Sequence, residues 1–394
     1  MRGVDAMRRV YLDHSATTPV RAEVLAAMMP YFAEKAGNAS SLHQPGQEAK
    51  RALERSRQMV ARALGARPDE IFFTSGGTES DNLAILGTLY ANAQHGRHVI
   101  TSAIEHHAVL NTCRWLAAQG YEVTEVPVDR RGVIDLGALE ECLRDDTVLV
   151  SVMLANNEVG TIQPVEAIAD MAHRRGALVH TDAVQAIGKM PVEVRALGVD
   201  LLSLTAHKFG GPKGVGALYV RQGTAIRPLF HGGHHEGSLR PGTQNVVGAV
   251  GLAEALRLAT RELETESQRL RRLRDRLEAT LLAGAAPARV NGAGAPRLPN
   301  ILNVGFPGVE GESLLMALDI MGVAVSTGSA CAAGVEEISH VLQALGVDPA
   351  YARGSLRLSL GHDTTEKDID YAATAVIEAV ARLREVAPPE KARP

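Results

Sequence analysis

From about residue 45 to 220, short apolar runs alternate with amphipathic stretches. The runs Ile71–Thr74, His98–Ser102, Glu122–Val126, Val148–Leu154, Ala177–Thr181, Leu201–Leu204 and Gly216–Val220 read as strands. Between them, Glu79–Asn92, Ala108–Gln119 and Val165–Arg175 read as helices. Strands and helices alternating at this spacing predict a mainly parallel sheet covered on both faces. At about Val246 the period changes. Leu252, Leu256, Ala259, Leu263, Leu270, Leu273, Leu277 and Leu281 follow one another at spacings of three, four or seven. They form one helical face, with Arg and Glu filling the other. A helix running to Leu282 is long enough to bridge two lobes. After the Gly/Pro-rich segment 292–308 comes a smaller mixed region. The expected architecture is a large α/β domain over residues 17–262 and a small α+β domain built from 1–16 and 263–394.

Composition narrows the function classes. The 394 residues are too many for one core, at roughly 100–200 residues per domain. The 41 basic residues face 45 acidic ones, and no Lys/Arg-rich block appears, so a nucleic-acid footprint is missing. Cys113, Cys142 and Cys331 lie too far apart for a zinc-type pairing and are too few for a disulfide framework. No apolar run reaches the roughly 18 residues of a membrane span. The first residues carry charge without an apolar core, which is not the pattern of a signal peptide, and Met7 offers a second start. The expectation is a cytoplasmic protein.

Three features carry candidate chemistry. Lys208 leaves a predicted strand and enters the glycine-rich turn Phe209–Gly216, where it can reach a ligand without backbone crowding. Asp182 ends another apolar strand, 26 positions earlier. The segment Phe73–Ser80 runs strand, Gly-Gly, helix, an arrangement that turns backbone N–H groups toward an anion. Each has an ordinary reading: a surface lysine, a helix-capping aspartate, a plain turn. In the order phosphate loop, aspartate, lysine, they also suit a pyridoxal phosphate (PLP) site, in which a carboxylate pairs with the pyridine nitrogen.

At these residues the chain resembles a cysteine desulfurase of the NifS/IscS type, in the class V aminotransferase family of fold-type I PLP enzymes. The matching strings run almost end to end: YLDHSATTPV (11–20), GNASSLHQPG (37–46), TSGGTESDN (74–82), IEHHAVL (104–110), NNEVGTIQP (156–164), HTDAVQAIGK (180–189), TAHKFGGPKGVGALYV (205–220), GGHHEGSLRPGT (232–243), STGSACAAG (326–334) and SLRLSLG (355–361). The resemblance implies a fold-type I PLP-dependent transferase with a mainly parallel seven-stranded sheet plus the small domain. It implies that Lys208 bonds the cofactor, Asp182 pairs with the ring nitrogen, and His106 stacks on the ring and carries protons. Gln185 and Asn157 are then contacts to the phenolic oxygen and the neighbouring substrate. Gly77, Thr78, Thr205 and His207 form the phosphate cradle, and Thr243 reaches the phosphate of a neighbouring subunit, which makes a homodimer the functional unit. Arg357 holds the substrate carboxylate, a task suited to its planar fork.

Cys331 separates the reactions within the family. Small and polar residues flank it, whereas Cys113 and Cys142 lie in amphipathic helices and read as packing. The resemblance makes Cys331 the nucleophile that takes sulfur from L-cysteine, leaving L-alanine and a persulfide. Sulfur then passes to an acceptor protein such as an iron–sulfur scaffold. Ile338 and Ala332-Ala333 depart from the related loop's usual proline and hydroxyl residues. An aminotransferase or β-lyase of the same fold would not need Cys331, and a selenocysteine lyase would share the chemistry. The cluster His231–Glu236 looks like a metal site, but its glycines and its likeness to the family's interface loop point to no metal.

Overall fold

The computed structural model describes residues 8–327 and 338–386; the predicted nucleophile Cys331 lies outside them. In chain order the strands are β1 (Val10–Tyr11), β2 (Ile71–Thr74), β3 (His98–Ser102), β4 (Glu122–Val126), β5 (Thr147–Ser151) and β6 (Leu178–Asp182). They continue as β7 (Leu201–Thr205), β8 (Gly216–Val220), β9 (Arg289–Val290), β10 (Ile301–Gly305), β11 (Val323–Ala324) and β12 (Ser355–Ser359). One seven-stranded sheet has the order β2-β8-β7-β6-β5-β3-β4. Its pairs from β4 through β7 are parallel, and β8 runs antiparallel to both neighbours. Strands β3, β5, β7 and β8 are buried along their whole length, as a sheet covered on both faces requires.

Four predicted strands coincide with observed ones residue for residue: β2, β3, β4 and β8. The predicted strand Val148–Leu154 instead ends at Ser151. Val152, Met153 and Leu154 are buried all the same, so the apolar run there reports burial beyond the strand.

The helix Gly77–Ala91 lies on one face of the sheet, with Leu83 and Leu89 in one cluster with Leu149, Leu201 and Leu218. The opposite face joins Ile100, Val150, Val179 and Leu202 to a larger core. The helix Val246–Gly284 enters that core with Leu252 and Leu256. Its second half places Leu270, Leu273, Leu277 and Leu281 in a separate core with Val10, Leu12 and the side chains of β10 and β12. Each such leucine contributes roughly 1.5–3 kcal/mol by burial. Between β3 and β5 the strand order reverses: β4 lies to one side of β3 and β5 to the other. At such a switch the loops leaving the carboxyl ends diverge and open a crevice.

Candidate active site

The carboxyl ends of the central strands open into a cavity of about 320 Å³. Local chain geometry delivers each group. Strand β7 ends at Thr205, and the tight turn Ala206–Lys208 carries Lys208 over the strand end. Its Nζ donates to the carbonyls of Ser15 and Ala16 at 2.5 and 2.9 Å. Asp182 is the last residue of β6 and is 7% exposed. Its Oδ1 accepts from the Val184 N–H at 2.9 Å, so it caps a turn and faces the cavity at once. Gly77 starts its helix, where unpaired N–H groups face the same space, with Thr78, Thr205 and His207 nearby in the lining. A Cβ on Gly77 would come within 2.9 Å of Val184 Cγ2, so glycine lets the helix start approach the β6 turn.

Among the described residues the remaining predicted groups converge here with one exception, Thr243; Cys331 lies outside those residues. His106, Asn157, Gln185 and Arg357 all line the cavity. His106 caps the helix His107–Ala118, its Nδ1 accepting from the Ala108 N–H at 3.1 Å. Gln185 donates to the Ser15 carbonyl at 3.0 Å. Arg357, on β12, brings a guanidinium from the second core to the large sheet. Thr243 is exposed and does not line the cavity of its own chain. A second cavity of similar size, between His14, Lys189 and Glu262, holds none of the predicted groups.

Burial sets the electrostatics. It pushes the Lys208 amine down to about 8, helped by Arg357 and opposed by Asp182 and Asp13. The Asp182 carboxyl is pushed up to about 6 by burial, against the Val184 N–H and Lys208. At neutral pH this leaves Asp182 mainly ionised beside a partly neutral amine. The protein around His106, then Lys208, His107 and His340, holds its imidazole down to about 4, although its open edge faces the cavity.

Several further groups carry weight that the sequence reading did not assign. Asp81 stands four residues into the Gly77–Ala91 helix, buried, with its Oδ1 unpartnered and 3.7 Å from His180 Nε2. Burial, then Asp182, raises its carboxyl well above the usual range. The four-residue step from Gly77 was the available signal, because it puts both on one helix face. Glu105, beside His106, accepts from Ser102 Oγ at 2.5 Å and from the Met153 N–H, tying the His106 turn to the β5 exit. Glu158 accepts from Ser339 Oγ at 2.6 Å, and His340 Nε2 lies 2.9 Å from the Glu105 carbonyl. Ser326 exchanges backbone hydrogen bonds with Arg357, which lines the cavity together with His340.

Two expectations concern cysteine and metal. Cys113 is fully buried, and burial pushes its thiol up to about 12; Cys142 is half-buried; neither lines the cavity. In the His231–Glu236 cluster, both Glu236 oxygens accept from Arg57 at 2.7 Å and one also accepts from the Phe73 N–H. That carboxylate is committed to holding β2 and the helix Gln44–Leu64 together.

The family model described as Aminotransferase class-V matches residues 10–372. The cysteine desulfurase IscS of Methanosarcina thermophila is 52% identical over 381 residues, covering 97% of this chain and 94% of that protein. Among solved structures, a NifS-like protein superposes with a TM-score of 0.89 at 43% identity, covering 95% of this chain and all of that one. A structure described as SspA in complex with cysteine superposes with a TM-score of 0.79 at 36% identity, covering 89% of this chain and 98% of that one. Among the described residues no helix is long and apolar enough to cross a membrane.

Proposed function

The chain belongs to the class-V aminotransferase family, and from that premise we propose that it is a cysteine desulfurase. It converts L-cysteine to L-alanine and carries the sulfur as a Cys331 persulfide, for transfer to iron–sulfur cluster or thio-cofactor assembly. The observation that carries this reading is that Lys208 and Asp182 line one cavity beside a helix N-terminus.

The residues fit pyridoxal phosphate. The cavity offers an unpartnered buried Asp81 Oδ1, a buried carboxylate at Asp182, and a lysine whose amine has only backbone carbonyls as hydrogen-bond partners. Asp182 would hold the ring nitrogen, His106 the ring face, Gln185 and Asn157 the phenolic edge, and Gly77, Thr78, Thr205 and His207 the phosphate. When bound, the cofactor supplies an electron sink that makes a substrate α-proton labile. Lys208, held near 8, keeps a usable neutral fraction at physiological pH and can take or return that proton at Nζ. His106 is neutral at pH 7 and serves as the second proton carrier. Arg357 grips the substrate carboxylate from the small-lobe side. The Cys331 thiolate then attacks the substrate sulfur: the Cβ–S bond breaks, its electron pair stays with Cβ, and a proton completes alanine.

A thiol is what divides this reaction from that of an aminotransferase or β-lyase. No described cysteine lines the cavity, and Cys331 takes this role from its place in the string STGSACAAG (326–334). Mixing the holoenzyme with L-cysteine and a reducing thiol should release alanine and sulfide in equal amounts. Pyruvate and ammonia accompanying the sulfide would instead identify a β-lyase.

The active unit is a homodimer. A groove lined by Thr78, Asn82, Leu86 and Trp115 runs on from the His106 wall, and Trp115 is 46% exposed there. Thr243 from a second copy completes the phosphate cradle at Thr78. Sedimentation at assay concentration should show dimers, and Thr243→Ala should weaken cofactor retention by roughly tenfold, as loss of one hydrogen bond to a charged group does. Fully loaded, active monomers would refute this.

A further inference from the structure

Arg357 is 3% exposed, and a guanidinium so buried needs both a counter-charge and a fixed orientation. Its Nη2 donates to Asp13 Oδ1 at 2.8 Å, and its Nη1 donates to the Asn157 carbonyl at 3.2 Å. Among the described residues the Nε–H is buried without a partner. Asp13 itself does not line the cavity, although its carboxylate holds the guanidinium at Nη2. It is well anchored for this: its backbone bridges Ser359 on β12, and Tyr11 Oη donates to its carbonyl at 3.0 Å.

We propose that Asp13 is a positioning residue that locks the plane of the Arg357 guanidinium for an α-carboxylate and so sets the site's preference for carboxylate-bearing thiols. This rests on the reading of Arg357 as the substrate-carboxylate ligand. A planar fork discriminates only when its plane is fixed, since a rotated guanidinium offers one donor where an aligned one offers two. With two nitrogens held by protein oxygens, rotation about the side-chain axis is blocked. The competing role is electrostatic: Asp13 could simply neutralise part of the Arg357 charge. The two roles have opposite signs. A lock makes carboxylate binding weaker when Asp13 is removed, whereas a screening charge makes it stronger.

Two fragments of the substrate separate these outcomes on the holoenzyme. 3-Mercaptopropionate keeps the carboxylate and thiol and lacks the amine; cysteamine keeps the amine and thiol and lacks the carboxylate. Binding of each is measured by calorimetry. Asp13→Ala should weaken 3-mercaptopropionate about tenfold, the scale of a misaligned charge-assisted contact, and leave cysteamine within about twofold. Asp13→Asn keeps an acceptor oxygen at the same place and should restore most of the affinity. Unchanged or tighter 3-mercaptopropionate binding in Asp13→Ala would overturn the proposal, as would equal losses of both fragments. So would an Asp13→Asn as weak as Asp13→Ala. Arg357→Ala is the control for the premise: if it keeps 3-mercaptopropionate affinity, the assignment of Arg357 fails, independently of Asp13.

Discussion

Lys208→Ala should abolish turnover of L-cysteine, with a loss of roughly 10³-fold or more, and should leave a protein on which borohydride fixes no cofactor. Under the proposed function two roles end together at that position: the covalent anchor and the proton carrier at Nζ. General acid–base catalysis alone supplies roughly 10²–10⁴-fold, so the expected loss exceeds that of any neighbouring polar residue. The fold should survive. Lys208 reaches only the two backbone carbonyls of Ser15 and Ala16, and these open onto the cavity, where water can replace the amine. Cofactor absorbance after reduction and dialysis is the measurement; a chain still labelled at a lysine in Lys208→Ala would remove Lys208 from its role.

Cys331→Ala should stop the reaction later. Under the proposed function Lys208, Asp182 and His106 suffice to bind cofactor and substrate and to move the α-proton, and none of those tasks needs a thiol. The variant should therefore exchange the α-proton of L-cysteine with solvent and still change the cofactor absorbance. Alanine formation should fall by at least about two orders of magnitude, because no positioned nucleophile accepts the sulfur. Cys113→Ala should keep most activity. Its thiol is buried in the helix His107–Ala118, and burial holds it protonated up to about 12, which is the wrong state for attack. Alanine made by Cys331→Ala at near wild-type rate would overturn the desulfurase reading and leave an aminotransferase or β-lyase in its place.

Much of this site lies close to the sheet in sequence. Asp182 and Lys208 sit at or just past the ends of the adjacent parallel strands β6 and β7, so any sequence that folds into those strands must bring them near each other. Gly77 and Thr78 follow β2 by three and four residues and are carried to the same edge. Short apolar runs were enough to locate the strands, because a strand covered on both faces reads as a continuous apolar stretch. The long helix was legible from its helical spacing, which reports the residues that share a face within one element. Its length predicts a bridge between two lobes, and Leu252 and Leu281, on one helical face, lie in different cores.

The rest depended on closure of long loops. Asp13 meets Arg357 across 344 positions, the Ser15 carbonyl meets Lys208 across 193, and Ser339 meets Glu158 across 181. No local pattern specifies such pairs, since each is decided by how the amino-terminal segment and β12 dock on the large sheet. The perturbed acidities have the same origin. A lysine at about 8 and an aspartate at about 6 arise from burial, which outweighs their mutual attraction and exists only after the cavity has formed. The sequence by itself determined the strands, the long helix and the residue types at the strand ends, because these follow from apolar runs and periodicity within single elements. Only the tertiary structure decided which of those residues face one another, and in which protonation states, because desolvation and long-range contact are properties of the packed chain.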